Sequence, residues 1–488
     1  MATSSAPASA VPASPYPRRW AVLAVVLIAT FMDLLDATIV NVALPGIQAT
    51  TGATNAQLQW TAAGYALAFG LLLITGGRLG DIAGRKCLFL IGMGAFILTS
   101  LACGLAPTPE FLVTARLAQG AAAAVMVPQV LATLHAVFPA AERPKAFGLY
   151  GAVFGLAAVS GPLLGALIVN ADIFGLSWRP IFLLNIPIGI VGMIAAARMI
   201  PETRAPGRPT LDLPGVALAT LGLLLLTLPL IQGPELGWPA WTFVSLLASP
   251  VVLASFVWHE HRVADRAGTP LVPLALFRAG PFSCGLLIQA VFQCAIGLFF
   301  LTWMLYLQYG LGFSPLRAGL TALPLSLGVA LAAGGLVPRL LPRLDRHVIT
   351  LGALVMASGM LLYLLAATRH GIDLTTARMI PTLLLTGIGM GLTITPIPEV
   401  TLRPTPAEDS GSASGVLNTT AQLSNALGAA LLTVVALAPS SQPHNPEAFI
   451  TAFRHTLIFT TALLAVIALL ALALPPHPAP QDRSGLSI

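Results

Sequence analysis

The sequence predicts an all-α membrane protein, and three observations carry that reading. Of its 488 residues, 56% are hydrophobic and only 9% are charged, with a mean hydropathy of +0.87. A soluble chain with so few charges could not cover its surface. Apolar runs of about twenty residues recur from end to end, each long enough to cross a hydrocarbon core of about 30 Å. Backbone polar groups find no water in lipid, so these runs must satisfy them internally, as helices. The alternating ten-residue pattern of an outer-membrane barrel is absent.

Fourteen helices are expected. Six lie near 20–44, 57–76, 87–105, 111–137, 146–169 and 180–199, two near 214–231 and 241–259, and six near 282–305, 316–337, 348–367, 378–398, 412–437 and 452–474. Arg18 and Arg19 precede the first run, but it is too long for a signal peptide and more spans follow, so it reads as the first helix. Residues 200–213 and 260–281 are polar, Pro-rich joints around the middle pair. The domain reading is therefore a disordered N-terminus (1–17), a six-helix bundle (18–199), a linker with two extra helices (200–281), a second six-helix bundle (282–475) and a tail (476–488). Two six-helix halves suggest parallel repeats around a central cavity, although residue similarity between the halves is faint.

Basic residues orient the chain. With the N-terminus in the cytoplasm, eighteen of the 24 Lys and Arg residues fall on the cytoplasmic side. This is the bias that membrane insertion favours. An even helix count then places both termini inside. The net charge of +6 sits in short loops and does not call for nucleic acid. Cys87, Cys103, Cys284 and Cys294 show no CxxC spacing, so neither a disulfide framework nor a metal site is expected. No HExxH or phosphate-binding glycine loop occurs, and no Ser/His/Asp set lies within plausible reach. Neither an enzyme nor a cofactor is expected. The Ala- and Arg-rich, Lys-poor usage suits a GC-rich bacterial genome, and the expected location is a bacterial plasma membrane.

Ionisable residues deep in a span are costly, about 2.5–3.5 kcal/mol each on insertion scales, and are functional candidates for that reason. Three stand out: Asp33 and Asp36 in the first helix and Arg116 in the fourth. Asp33 and Asp36 are three apart and share a helix face. Asp36 lies about 24 Å along its helix, at a depth similar to that of Arg116 near the outer end of the fourth. Two readings stay open. The carboxylates could titrate as a coupled pair, holding a proton in one conformation and releasing it in another; Asp36→Asn would then abolish proton-driven transport and leave the protein folded. Alternatively, Asp36 and Arg116 form a static salt bridge.

The stretch Gly77-Arg78-Leu79-Gly80-Asp81-Ile82-Ala83-Gly84-Arg85-Lys86 reads as a glycine-permitted turn carrying one acid and a basic cluster. Its G-x-L-x-D-x-x-G-R-K spacing resembles the signature loop of the major facilitator superfamily. There, the resemblance implies, Gly77, Asp81, Gly84, Arg85 and Lys86 latch the cytoplasmic face by contacts between helices. Leu35-Asp36-Ala37-Thr38-Ile39-Val40-Asn41-Val42-Ala43-Leu44-Pro45 is similar to the first-helix motif of the fourteen-helix drug:proton antiporters. Arg116-Leu117-Ala118-Gln119-Gly120 resembles their fourth-helix motif, which implies a proton-transfer role for Arg116. Gly161-Pro162-Leu163-Leu164-Gly165 resembles the antiporter motif of the fifth helix, where Gly161, Pro162 and Gly165 permit close contact and a bend. Ala157 and Ala166 depart from it, and Ala421 stands where an arginine is frequent. The resemblance implies a major-facilitator fold of two six-helix bundles plus an inserted pair.

Candidate cavity residues are Asn41, Trp60, Tyr65, Gln119, Gln289, Gln293, Asn418 and Gln422. Asn418, Gln422 and Asn425 form a polar stripe that faces either substrate or neighbouring helices; Trp60 and Tyr65 are cavity wall, interfacial anchor or packing. Glu399 reads as a mouth residue or a second proton site. The expected partners are an amphipathic small molecule, protons and the lipid bilayer, for a monomeric protein. The expected function is proton-coupled export of antibiotics or other drugs by alternating access. The rivals are a metabolite transporter on the same fold and a membrane enzyme or sensor.

Overall fold

The computed structural model describes residues 16–139, 141–203, 210–266, 268–406, 409–431 and 446–474. Its ordered elements are helices. They are α1 (Arg19–Thr51), α2 (Asn55–Ala83), α3 (Arg85–Gly104), α4 (Pro109–Val137) and α5 (Arg143–Ala171), then α6 (Pro180–Met199), α7 (Leu213–Leu236) and α8 (Ala240–Asp265). The second half holds α9 (Gly280–Gly310), α10 (Arg317–Leu344), α11 (His347–Asp373), α12 (Thr376–Leu402), α13 (Ser410–Ala430) and α14 (Pro446–Ala473). Among the described residues, twelve of these are long and apolar enough to cross a membrane. The other two, α5 and α13, are helices of 29 and 21 residues within the same bundle.

Most helices outrun their apolar cores, because hydrogen-bonded turns continue into polar sequence. The G-x-L-x-D stretch is the main correction. It is no turn: Gly77 to Ala83 are the last two turns of α2, and the chain reverses at Gly84 alone (φ 105°, ψ 137°) before α3 begins at Arg85. That φ is open to glycine at no steric cost. Start signals are local. Thr54 and Gln57 form a capping box on α2, and Thr108 caps α4 with Pro109 at its first turn. These satisfy N–H groups that lack intrahelical partners.

Packing reveals a repeat that residue identities barely carry. In the first half, α2 and α3 pack on α4, α1 on α5 and α6, and α3 on α6. In the second half, α10 and α11 pack on α12, α9 on α13 and α14, and α11 on α14. The pairs correspond one for one, offset by eight helices. The halves meet along two seams, α2 against α13 and α5 against α10, which swap the second and fifth helix of each repeat. The pair α7–α8 packs on itself, and α7 touches α2 and α13 from outside, so the pair is peripheral to the two-half core.

Candidate functional site

The first-half charges assemble into one buried network between α1, α3, α4 and α6. Asp36 and Arg116 are fully buried and form an ion pair at 2.5 Å. The same guanidinium nitrogen of Arg116 donates to Gln119 Oε1 at 2.7 Å, and its Nε donates to the Thr61 carbonyl at 3.0 Å. The other Asp36 oxygen accepts from Gln119 Nε2 at 3.0 Å and Asn185 Nδ2 at 2.7 Å. Ser100 Oγ accepts from both of those amides, at 2.7 and 3.1 Å. Two charges taken out of water are tolerable only with such geometry. Asn185 and Ser100 were not foreseen. Each is a polar residue inside an apolar run, and that signal was present for both.

Asp33 differs from Asp36. Tyr65 donates its hydroxyl to the Asp33 carboxylate, and the Tyr65 ring lies under the Arg116 guanidinium, 4.4 Å from centroid to carbon. Asp33 therefore connects through one aromatic side chain to the Asp36–Arg116 pair. It also lines a central cavity of about 80 Å³ between the halves. From the first half the wall includes Thr30, Phe69, Tyr150 and Phe154; from the second it includes Gln289, Gln293, Asn418 and Gln422. Among the described residues, Asp33 is the only carboxylate or base in that wall. Ala421, where an arginine is frequent, lines it too and adds no opposing charge. A drug-sized ligand needs about 300 Å³ or more, so the halves must part before one enters.

Four of the eight cavity candidates thus face the cavity. The others lie elsewhere in this conformation. Gln119 is tied into the Asp36 network, and Tyr65 is buried between Asp33 and Arg116. Asn41 is exposed, with its amide on the Thr38 carbonyl at 3.4 Å. Trp60 is half-buried and packs near Gly64.

The signature stretch closes the α2–α13 seam at one end of the bundle. Asp81 is fully buried and accepts from the backbone N–H groups of Gly411 and Ser412 at 3.0 and 2.9 Å, and from Ser412 Oγ at 3.2 Å. These are the first turn of α13, where a carboxylate meets free N–H donors and the positive end of the helix dipole. Arg85 pairs with Asp81 at 3.3 Å. A Cβ on Gly77 would lie 2.2 Å from the Gly411 carbonyl oxygen, so the glycine lets two backbones touch. Lys86 donates its backbone N–H to Glu202 at 3.3 Å. Where α10 and α12 end, Arg403 pairs with Asp345 at 2.9 Å and lies 3.7 Å from Glu399. Glu399, nearly buried, is thus held with a cation on its own helix, away from the cavity wall.

Asp81→Asn should weaken this latch, since it replaces charge-assisted bonds worth about 1.5–3 kcal/mol with neutral ones. Cysteine cross-linking between α2 and α13 at that end is expected to fall in the folded fraction of the protein. Unchanged cross-linking would dismiss the latch.

The fifth-helix glycines seat α5 on α1. A Cβ on Gly161 would stand 2.0 Å from Thr38 Oγ1, and one on Gly165 would stand 3.0 Å from Ile39 Cγ1. The side chain of Pro162 lies outside the described residues.

Two helix bundles with corresponding packing, a cavity between them and a buried charge network beside it define a membrane carrier of the two-repeat kind. The chain belongs to the Major Facilitator Superfamily, whose family model matches residues 26–429. It is 43% identical to a probable actinorhodin transporter of Streptomyces coelicolor, over 86% of this chain and 72% of that protein. It is 38% identical to a cephamycin export protein of Amycolatopsis lactamdurans, covering 93% and 94%. It is 37% identical to a puromycin resistance protein of Streptomyces alboniger, covering 88% and 84%. The fold matches a human organic anion transporter (TM-score 0.67, 16% identity, covering 93% and 100%) and a proton:xylose symporter (TM-score 0.66, 15% identity, covering 94% and 96%).

Proposed function

We propose that this chain is a proton-driven exporter of amphipathic small molecules of the antibiotic class, working by alternating access as a monomer in a bacterial plasma membrane. The observation that carries the reading is the central cavity, with Asp33 on one wall and four amides on the facing wall. The relatives named for cephamycin export and puromycin resistance support the substrate class. In this reading all fourteen helices span the bilayer, as in the fourteen-helix drug:proton antiporters, with both termini and the Asp81 latch in the cytoplasm. The small and polar side chains of α13 are buried against the protein rather than facing lipid, which accounts for its lower apolarity. Substrate enters between the halves when the latch opens, and proton binding at Asp33 resets the carrier. One proton moving down about 100 mV supplies about 2.3 kcal/mol.

Drug accumulation tests direction. Cells expressing the protein should hold less puromycin than controls, and an uncoupler should raise their content to the control level. Content that falls on uncoupling would mark an importer and sink this reading.

A further inference from the structure

We propose that Asp212, His259 and Glu260 form a divalent-cation site, of the borderline kind that zinc occupies, which clasps the two ends of the inserted helix pair. The three residues offer one imidazole nitrogen and two carboxylate oxygens, all within 4.8 Å of one another. His259 Nε2 lies 2.9 and 3.0 Å from the two Asp212 oxygens. Ligands about 2.0–2.2 Å from one zinc ion stand at most about 4.4 Å apart, so a small inward rotation completes the set. Two carboxylates and a neutral imidazole balance the charge of a divalent ion.

The independent sign of a ligand is Glu260. It is fully buried; one oxygen accepts from the Val272 N–H at 2.8 Å, and the other, Oε1, has no N–H or hydroxyl partner and meets only the Asp212 carboxyl. Two acids that face each other out of water are costly unless a shared proton or a cation lies between them. Oε1 and Asp212 Oδ2 converge over the bare face of Gly215, where a Cβ would stand 2.7 Å from the first and 2.4 Å from the second. The outer contacts are in place as well: Asp212 Oδ1 accepts from the Gly215 N–H at 3.1 Å and Val272 holds Glu260, the kind of support that orients metal ligands. The His259 side chain is 25% exposed and gives an entry path. No spacing motif announces such a site, because Asp212 and His259 are 47 residues apart.

Position supplies the role. Asp212 lies where the chain enters α7; Glu260 and Val272 lie where it leaves α8. Thr210 and Thr269 already tie the two joints together with bonds of 2.9 to 3.0 Å. A cation there would fix the pair as a closed insert between the halves, independent of what the cavity carries.

The test uses full-length protein in detergent, purified by a tag without histidine, stripped with chelator and titrated with Zn²⁺ by calorimetry, with Co²⁺ absorption as a second probe. One saturable site is expected in the wild type. Binding should weaken about a hundredfold in His259→Gln and in Glu260→Gln. Gly215→Ala, which fills the cradle and keeps all three ligands, should weaken it as well. Circular dichroism and monodisperse elution check that each variant is folded; His259 is partly exposed, so its variant provides the comparison if Glu260→Gln does not fold. Absence of saturable binding in the wild type, or equal affinity in the folded variants, would overturn the site.

Discussion

Replacing Asp36 by asparagine is expected to destabilise the folded protein strongly, and to remove transport with it. Arg116 is fully buried, and among the described residues Asp36 is its only anionic partner within ion-pair distance. Taking one partner from a buried ion pair leaves the other uncompensated, at a cost of about 3–5 kcal/mol. An asparagine amide also turns a donor toward Arg116 or toward the Gln119 and Asn185 amides, which already donate to this position. The thermal midpoint in detergent should drop clearly. The double change Asp36→Asn with Arg116→Gln removes both charges and should recover much of that loss, without recovering transport. A single variant as stable as the wild type would show that the pair is not what holds α1 against α4. The sequence alone points to an Asp36→Asn variant that stays folded; the complete burial of Asp36 and its amide partners reverse that expectation.

Much of the fold could be read from the chain because lipid simplifies the problem. A run of about twenty apolar residues has essentially one conformation open to it, so the stretches around α1 to α4 and α9 to α12 are legible by length alone. The ends are not. The stretch from Gly77 to Ala83 looks like a turn because glycine and charge usually interrupt helices. Here the glycines serve contact instead: Gly77 meets Gly411 and Gly80 packs on Gln129, and a helix with no Cβ on one face approaches another closely. Which role a glycine plays depends on a partner on another helix, in the case of Gly77 more than 300 residues away, and nothing local carries that information. The two-fold repeat is hidden for a related reason. It resides in which helices pack, α2 on α4 as α10 on α12, and many apolar sequences satisfy the same packing.

Within the site, the charges were visible and their division was not. Rarity flags Asp33, Asp36 and Arg116 equally. Three residues along one helix, however, separate a carboxylate on the cavity wall from one sealed behind it. Asn185 and Ser100 are single polar residues of α6 and α3 and carry less contrast than a charge. Gln119 was seen, but its amide points into the network and not the cavity. Amides reveal no direction until a partner is placed.

That separation gives Asp33→Asn a different expected outcome. The polar partner that the structure gives Asp33 is the Tyr65 hydroxyl, and an amide oxygen accepts that bond as a carboxylate does. No cation is left unpaired, since Arg116 keeps Asp36. The variant should fold with a midpoint close to that of the wild type. What it lacks is a group able to carry a proton, at the only carboxylate or base that the described residues place on the cavity wall. In proteoliposomes carrying a pH gradient, uphill drug movement should fall to background, and drug addition should no longer discharge the gradient. Drug binding to the purified variant should persist for neutral compounds, because the apolar wall and the four facing amides are intact. Loss of coupling with stability and binding kept would separate Asp33 from Asp36, which should lose all three together. A variant that still exchanges protons for drug would move the coupling site elsewhere and leave Asp33 as part of the cavity lining.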